Sequence, residues 1–258
     1  MISKQELIET LIRVDGIAPD LNQCDLVICM SQILKEACET VGVKPEKLVT
    51  LGNRVSTRRF YPLPQVNYDP QCIRVLFVGR LTEQKNIHGI AQALMRLKQR
   101  GWRVMLEVCG GLQVNKYLLE ATSCLLPSEW RYHGSVPNRN LPALYNATDM
   151  YVGPSLFEGF QIPLIEALAC GKPCVASNQP PANEIITPEV GALVDPLNPD
   201  SIADGILSVK NRLNDPDQAL LLRAACRAMA EQRWAYPVIS QREASLYLKV
   251  LSDFRKQV

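Results

Sequence analysis

Histidine is almost missing from this chain: two residues among 258. Nine cysteines occur, but no two are spaced as a CxxC pair. A zinc site needs clustered thiolates or imidazoles, so neither set reads as a metal framework. An odd, scattered set of cysteines in a long chain reads as reduced thiols and points to a cytoplasmic protein. No apolar run approaches ~20 residues, so no membrane span is expected, and no stretch reads as a signal peptide. Charge of one sign is lacking too. Lys and Arg number 28 against 26 Asp and Glu, a net +2, and nothing argues for nucleic acid or an anionic membrane as partner. No Gly-X-Gly-X-X-Gly follows a candidate strand with an acid ~20 positions on, and there is no P-loop. Those absences exclude the usual dinucleotide and P-loop motifs. There is no internal repeat, low-complexity tract or flexible linker. Asn146-Ala-Thr148 has the pattern of a glycosylation sequon, which a cytoplasmic setting would leave unused.

What is present is apolar and periodic. Hydrophobic residues make up 47% of the chain, enough for a sizeable core. Short apolar runs predict strands at 25–30, 47–51, 73–79, 104–109, 130–136, 149–152, 173–177 and 191–195. Helical spacing runs between them. It joins Leu7, Ile8, Leu11 and Ile12; then, behind a Ser31 N-cap, Ile33, Leu34, Ala37 and Val41; then Ile87, Ile90, Ala91, Leu94 and Leu97. Further helices are predicted at Leu141, Leu144 and Tyr145, and from Pro181 to Ile186. Ile202, Ile206, Val209 and Leu213 make one later stripe, and Leu221, Ala224, Ala225 and Ala228 another. A last stripe carries Ile239, Leu246, Tyr247, Val250, Leu251 and Phe254. Strands alternating with helices from 72 to 213 predict an α/β fold, a doubly wound, Rossmann-like parallel sheet.

Two segments carry chemistry. The first runs from Pro154 to Gly171. Pro163 suits the first position of a helix with Ile162, Ile165, Leu168 and Ala169 on its apolar side, and Gly171 with Pro173 stops it. Glu158 falls on the loop entering that helix and Glu166 one turn inside. Between them lie the N–H groups of Phe160, Gln161 and Ile162. A helix start carries about half a positive charge and open donors, so it seats phosphate. Ionised carboxylates are pure acceptors, so a pair flanking that seat wants hydroxyl groups on either side. A nucleotide sugar has that pattern. The second segment follows the strand that ends at Gly79: Arg80, then Lys85 and Asn86. A cationic loop at the carboxyl end of a parallel strand is where ligands sit in open α/β sheets. Arg offers a two-donor grip on phosphate and Lys a compact charge. Other features admit two readings. Gly110-Gly111 is a close approach to ligand or a plain turn. His133 is structural or catalytic. Arg54, Arg58 and Arg59 greet phosphate or form a solvated loop. Cys170 and Cys174 are buried hydrophobes or a redox pair.

The stretch with Pro154-Ser155, Glu158-Gly159-Phe160 and Glu166-Ala167 resembles the signature of the retaining glycosyltransferase family 4, including its Glu, seven residues, Glu spacing. Arg80 and Lys85 resemble that family's Gly-Arg-Leu…Lys pair, and Trp130-Arg-Tyr-His-Gly134-Ser-Val136 its Phe-X-Gly-X-Val segment, which borders the base. The resemblance implies the GT-B fold, of which this chain would be the C-terminal, donor-binding half, with the N-terminal acceptor domain largely missing. It implies domains at 1–52, a remnant and crossing; 53–236, the nucleotide-sugar domain; and 237–258, a returning helix. It implies catalytic roles for Arg80, Lys85 and Glu158: the cations on the donor diphosphate, the acid on the transferred sugar. Donor contacts fall to Gly79, Gly110, Val136, Gly159, Phe160, Gln161, Ile162, Leu164 and Glu166, the last on ribose. The donor would be a UDP- or GDP-sugar, with no metal or other cofactor. A protein partner or neighbouring domain would bring the acceptor site, and the chain alone would transfer weakly or not at all. The alternative is a non-catalytic nucleotide-sugar-binding or assembly subunit. The sequence departs from the family at Gln161, where a small residue is usual, so the side chain is expected to narrow the seat or add a contact. It departs again at Arg54 and Ser56, in place of Gly and Asp.

Overall fold

The computed structural model describes residues 17–64, 68–111 and 115–255; the helix expected around Leu7 to Ile12 lies outside them. Helix α1 (Ile17–Leu21) leads into β1 (Val27–Cys29), α2 (Gln32–Thr40) and β2 (Leu48–Thr50). The two strands pair in parallel as a small sheet of their own. Ser31 caps α2, its Oγ accepting the Leu34 N–H at 3.4 Å. Cys29, Val43 and Leu48 form a small separate core there, with Leu34 and Val41 against it.

The main sheet holds β3 (Cys72–Val78), β4 (Arg103–Cys109), β5 (Trp130–Tyr132), β6 (Met150–Gly153), β7 (Cys174–Ser177) and β8 (Gly191–Val194). Its order is β5-β4-β3-β6-β7-β8, with every neighbouring pair parallel. The chain builds outward from β3 to β5, then returns to lay β6 on the other side of β3. That reversal leaves a crevice at the carboxyl ends of β3 and β6, the place where such sheets bind ligands. Helices α3 (Ile87–Gln99), α4 (Asn115–Ala121), α5 (Leu141–Ala147), α6 (Ile162–Ala169), α7 (Ala182–Ile185) and α8 (Pro199–Asn214) alternate with the strands. Helices α9 (Pro216–Arg233) and α10 (Tyr236–Arg255) follow. Strands β6 and β7 are buried along their whole length, as strands covered on both faces must be. The predicted stripes of α3 and α8 are buried in full, each Leu or Ile contributing about 1.5–3 kcal/mol.

Buried charge ties the amino end of the sheet. Lys210 of α8 meets Asp149 at 2.9 Å with neither side chain open to water. Lys172 donates to the carbonyls of Asn146 and Thr148 at 3.1 and 2.8 Å. Asn146 and Thr148 are themselves buried, so the sequon is out of reach of any modifying enzyme. Cys170 and Cys174 are buried and free, as small hydrophobes.

The structure corrects three local expectations. The strand predicted over 130–136 stops at Tyr132. On α9 the buried stripe is Leu222, Cys226 and Ala230, while Leu221 is 70% exposed. The alanines on both sides of that helix gave no phase, and the four-residue spacing from Leu222 to Cys226 sets it. On α10, Ile239 is buried but Tyr247 and Leu251 are exposed. The helix is held at its base. Val55 donates to the Trp234 carbonyl at 2.8 Å, Tyr236 donates to Val55 at 3.2 Å, and Arg54 pairs with Glu243 at 3.0 Å.

Candidate functional site

The loop after β3 is built on Asn86. This residue holds a left-handed backbone, φ 56°, which Asn tolerates better than most side chains. Its Oδ1 accepts the Gly89 N–H at 3.1 Å and so caps α3. Its Nδ2 donates to the Pro154 and Pro196 carbonyls at 3.2 and 2.6 Å. Gln84 ties the same two loops: its Nε2 donates to Phe157 at 2.7 Å and its carbonyl accepts from Leu156 at 2.8 Å. The outcome is that Lys85 Nζ meets Glu158 Oε1 in an ion pair, with side chains only 16% and 10% exposed. The stem of Lys85 lies over Gly79. Arg80 stands exposed on the same loop. Gly110 packs against this loop, and a Cβ there would sit 1.7 Å from the Gly79 carbonyl oxygen. Its glycine is therefore dictated by the neighbouring strand end. Its carbonyl accepts the Tyr132 hydroxyl at 2.8 Å.

The loop from Pro154 to Gln161 is clamped from the other side. Ser31 Oγ donates to the Gly159 carbonyl at 2.6 Å, so the cap of α2 also fixes the entry to α6. Phe160 is half-buried beside Leu51 and Trp234. Gln161 does not narrow the seat. Its side chain is buried and turned inward, donating to the Tyr151 hydroxyl at 3.1 Å and the Gly153 carbonyl at 3.0 Å. Room for that amide exists because residue 153 is Gly: a Cβ there would lie 2.4 Å from Gln161 Nε2. Leu164 is fully buried and its N–H already donates to Gln161 at 3.1 Å. It anchors α6 and is not brought to the crevice. Ile162, expected on the buried side, is 40% exposed and borders a cavity.

That cavity has a volume of about 480 Å³ and is lined by Asn53 to Ser56, Arg59, Phe60, Asn138, Ile162, Glu166 and Tyr236. Glu166 is 6% exposed. Its Oε2 accepts the Tyr145 hydroxyl at 2.9 Å and its Oε1 accepts Asn138 Nδ2 at 3.3 Å. Burial raises its carboxyl above the ordinary value; the Tyr145 and Asn138 hydrogen bonds and the Arg59 charge oppose that rise. The Tyr151 phenol is raised well above its ordinary value by burial, and both Glu158 and Glu166 add to the effect. The two carboxylates thus lie within electrostatic reach of one phenol. Val136 is half-buried and its backbone reaches the Cys109 thiol, which also senses Glu166.

Arg80, Lys85 and Glu158 sit on the loops at the carboxyl ends of β3 and β6, and none of the three lines the cavity that Glu166 borders. Lys85 and Glu158 touch, Glu166 opens on the cavity, and Arg80 waits on the loop. Arg54 is committed to Glu243, whereas Arg59 donates to Asn138 Oδ1 at 2.5 Å and faces Glu166. His133 pairs with Glu107 at 2.7 Å, a structural role. Among the described residues no group of three or more His, Cys, Asp or Glu is placed to hold a metal, and no helix is long and apolar enough to cross a membrane. Sequence reasoning missed Tyr145, Asn138 and Gln84 as site supports. Asn86 carried a readable signal, a polar cap directly before an apolar helical stripe.

Residues 65–226 match the sequence profile of "Glycosyl transferases group 1". The chain is 38% identical over 196 residues to an uncharacterised glycosyltransferase of Methanocaldococcus jannaschii, covering 71% of this chain and 50% of that one. It is 34% identical over 136 residues to O-antigen chain mannosyltransferase B of Escherichia coli, covering 51% of this chain and 35% of the relative. The chain thus spans half or less of the length of these two curated relatives. Its structural neighbours are glycosyltransferases of the GT-B fold. One is Anabaena HepE, solved with UDP and glucose, at a TM-score of 0.79 and 21% identity over 96% of this chain and 68% of that one. With the profile covering well over half of its residues, the chain belongs to the group 1 glycosyl transferases.

Proposed function

We propose that this chain is the donor-binding half of a retaining hexosyltransferase that uses a UDP- or GDP-sugar. The observation that carries the reading is the Lys85–Glu158 pair at the crevice mouth, beside the buried Glu166 carboxylate, which lines a cavity of its own. In this reading Arg80, Lys85 and the N–H groups of Phe160, Gln161 and Ile162 receive the diphosphate. They stabilise the negative charge that grows on it as the glycosidic bond breaks, an effect aimed at the transition state. Glu158, held by Lys85, accepts hydrogen bonds from the transferred sugar, and Glu166 holds the ribose hydroxyls. Gly79 and Gly110 keep the loop ends close enough for backbone to line the nucleotide, and Val136 borders the base. No cofactor beyond the donor is invoked, so donor binding should persist in the presence of a chelator.

The reading also assigns acceptor binding to residues outside this donor site, on a neighbouring domain or partner. Purified chain incubated with labelled UDP- and GDP-hexoses and simple sugar acceptors tests this. Donor binding with little transfer is expected. Robust turnover by the chain alone would overturn the need for a partner, and failure to bind any nucleotide sugar would overturn the donor site itself.

A further inference from the structure

We propose that Tyr145, Asn138 and Arg59 form a brace that fixes the Glu166 carboxylate for hydroxyl recognition, with Tyr145 and Asn138 as positioning residues. The inference rests on the reading of Glu166 as the ribose-binding acid and deepens it.

A carboxylate offers about four lone-pair directions. On Glu166 two are already used, one on each oxygen, by Tyr145 at 2.9 Å and Asn138 at 3.3 Å. The Tyr145 ring cannot swing. It is fully buried, with Phe60 edge-on at 6.0 Å and Tyr151 at 6.3 Å. Its hydroxyl therefore points one way and fixes one oxygen of the acid. Asn138 is different, because it is exposed and its amide could in principle turn either end to Glu166. Arg59 removes that freedom. Its guanidinium donates to Asn138 Oδ1 at 2.5 Å, and a guanidinium has no acceptor to offer. The amide oxygen must face Arg59, which turns the amide nitrogen to Glu166. A donor chain thus runs from the segment before β3 to the acid on α6.

The brace does two things for the carboxylate. It holds the plane of the group, so that the unused lone pairs face the cavity of about 480 Å³. It also surrounds a buried acid with donors and one positive charge, so that the acid stays an acceptor. The groups that face it are Tyr145 and Asn138 as donors and Arg59 as charge, with Tyr151 on β6, Cys109 on β4 and Cys170 just past α6 sensing it. Asn138 and Arg59 border the same cavity, whereas Tyr145 is fully buried and is not part of its lining.

The test uses calorimetric titration of UDP and of 2′,3′-dideoxy-UDP, or the guanosine pair if the wild type prefers it. Wild type, Tyr145→Phe and Asn138→Ala are compared. Each variant should bind the ribonucleotide about tenfold more weakly, the loss expected when a charge-assisted contact goes. Each should bind the dideoxy nucleotide within about twofold of wild type, because the hydroxyls that the braced acid serves are gone. A structural defect would weaken both nucleotides alike, and that result would overturn the brace, as would no loss with either. Asn138 is exposed, so its variant keeps the test alive if Tyr145→Phe fails to fold. Absence of nucleotide binding by the wild type would overturn the donor-site reading as well, and is read separately from the variants.

Discussion

Replacing Lys85 by Met should unmask how firmly the crevice mouth is built. The side chains of Lys85 and Glu158 are 16% and 10% exposed, so the pair is mostly out of water. Removing one partner of a buried pair costs about 3–5 kcal/mol, because it strands the other charge. The remaining exposure lets water screen part of that cost, and we expect about 2–3 kcal/mol for Lys85→Met. Adding Glu158→Gln removes the stranded charge. The double variant should then recover to within about 1 kcal/mol of wild type, giving a coupling of at least about 1–2 kcal/mol, to which the cost of Glu158→Gln alone adds. Urea unfolding followed by circular dichroism measures all four proteins, and for a chain of this size the single variant should melt about 5–10 °C lower. If Lys85→Met costs less than about 0.5 kcal/mol and the double variant shows no coupling, the pair is solvated and the argument for a preformed acid–cation mouth fails.

Gly110→Ala should cost more than about 3 kcal/mol or prevent folding, since its Cβ would lie 1.7 Å from the Gly79 carbonyl and its φ is +150°; a melting curve within about 2 °C of wild type would contradict this. Asp149→Asn leaves the fully buried Lys210 without its carboxylate partner, and a loss of about 3 kcal/mol or more is expected in urea titration. Lys172 makes a pH prediction. Burial lowers its ammonium from 10.5 to about 8, the Arg223 charge adding to this and Asp149 opposing it. Below pH 8 both folded and unfolded states hold the proton and the full cost is felt. Between about pH 8 and 10.5 the folded state releases it first, so this site's contribution to stability rises, by about 3 kcal/mol in all. The buried Cys170 and Cys226 thiols, raised by burial from 9.0 to about 12, pull stability down above pH 9. The comparison is therefore wild type against Lys172→Met, and a stability difference that stays flat from pH 7 to 10.5 would refute the assignment.

Much of the sheet was legible because its strands are apolar on both faces and its helices carry single stripes. Ile87 to Leu97 and Ile202 to Leu213 phase themselves, and Gly79 and Gly171 mark ends. The acids were legible for a different reason: Glu158 and Glu166 sit at fixed offsets around a helix start, a local feature. Partner choice was not local. Tyr145 reaches Glu166 from another helix, and Gln161 is steered inward by the space over Gly153, which no spacing rule records. The stripe of α9 failed because alanine reads as apolar on any face. Arg59 looked like one of three similar loop arginines, and only the fold separates it from Arg54, which is spent on Glu243.

The most direct test of the central claim is calorimetric titration of the chain with UDP- and GDP-hexoses, repeated on Arg80→Ala and Glu166→Gln. The account predicts that at least one donor binds the wild type with one-to-one stoichiometry and that both variants weaken it about tenfold or more. No heat with any donor at millimolar concentration, or binding unchanged by both substitutions, would contradict it.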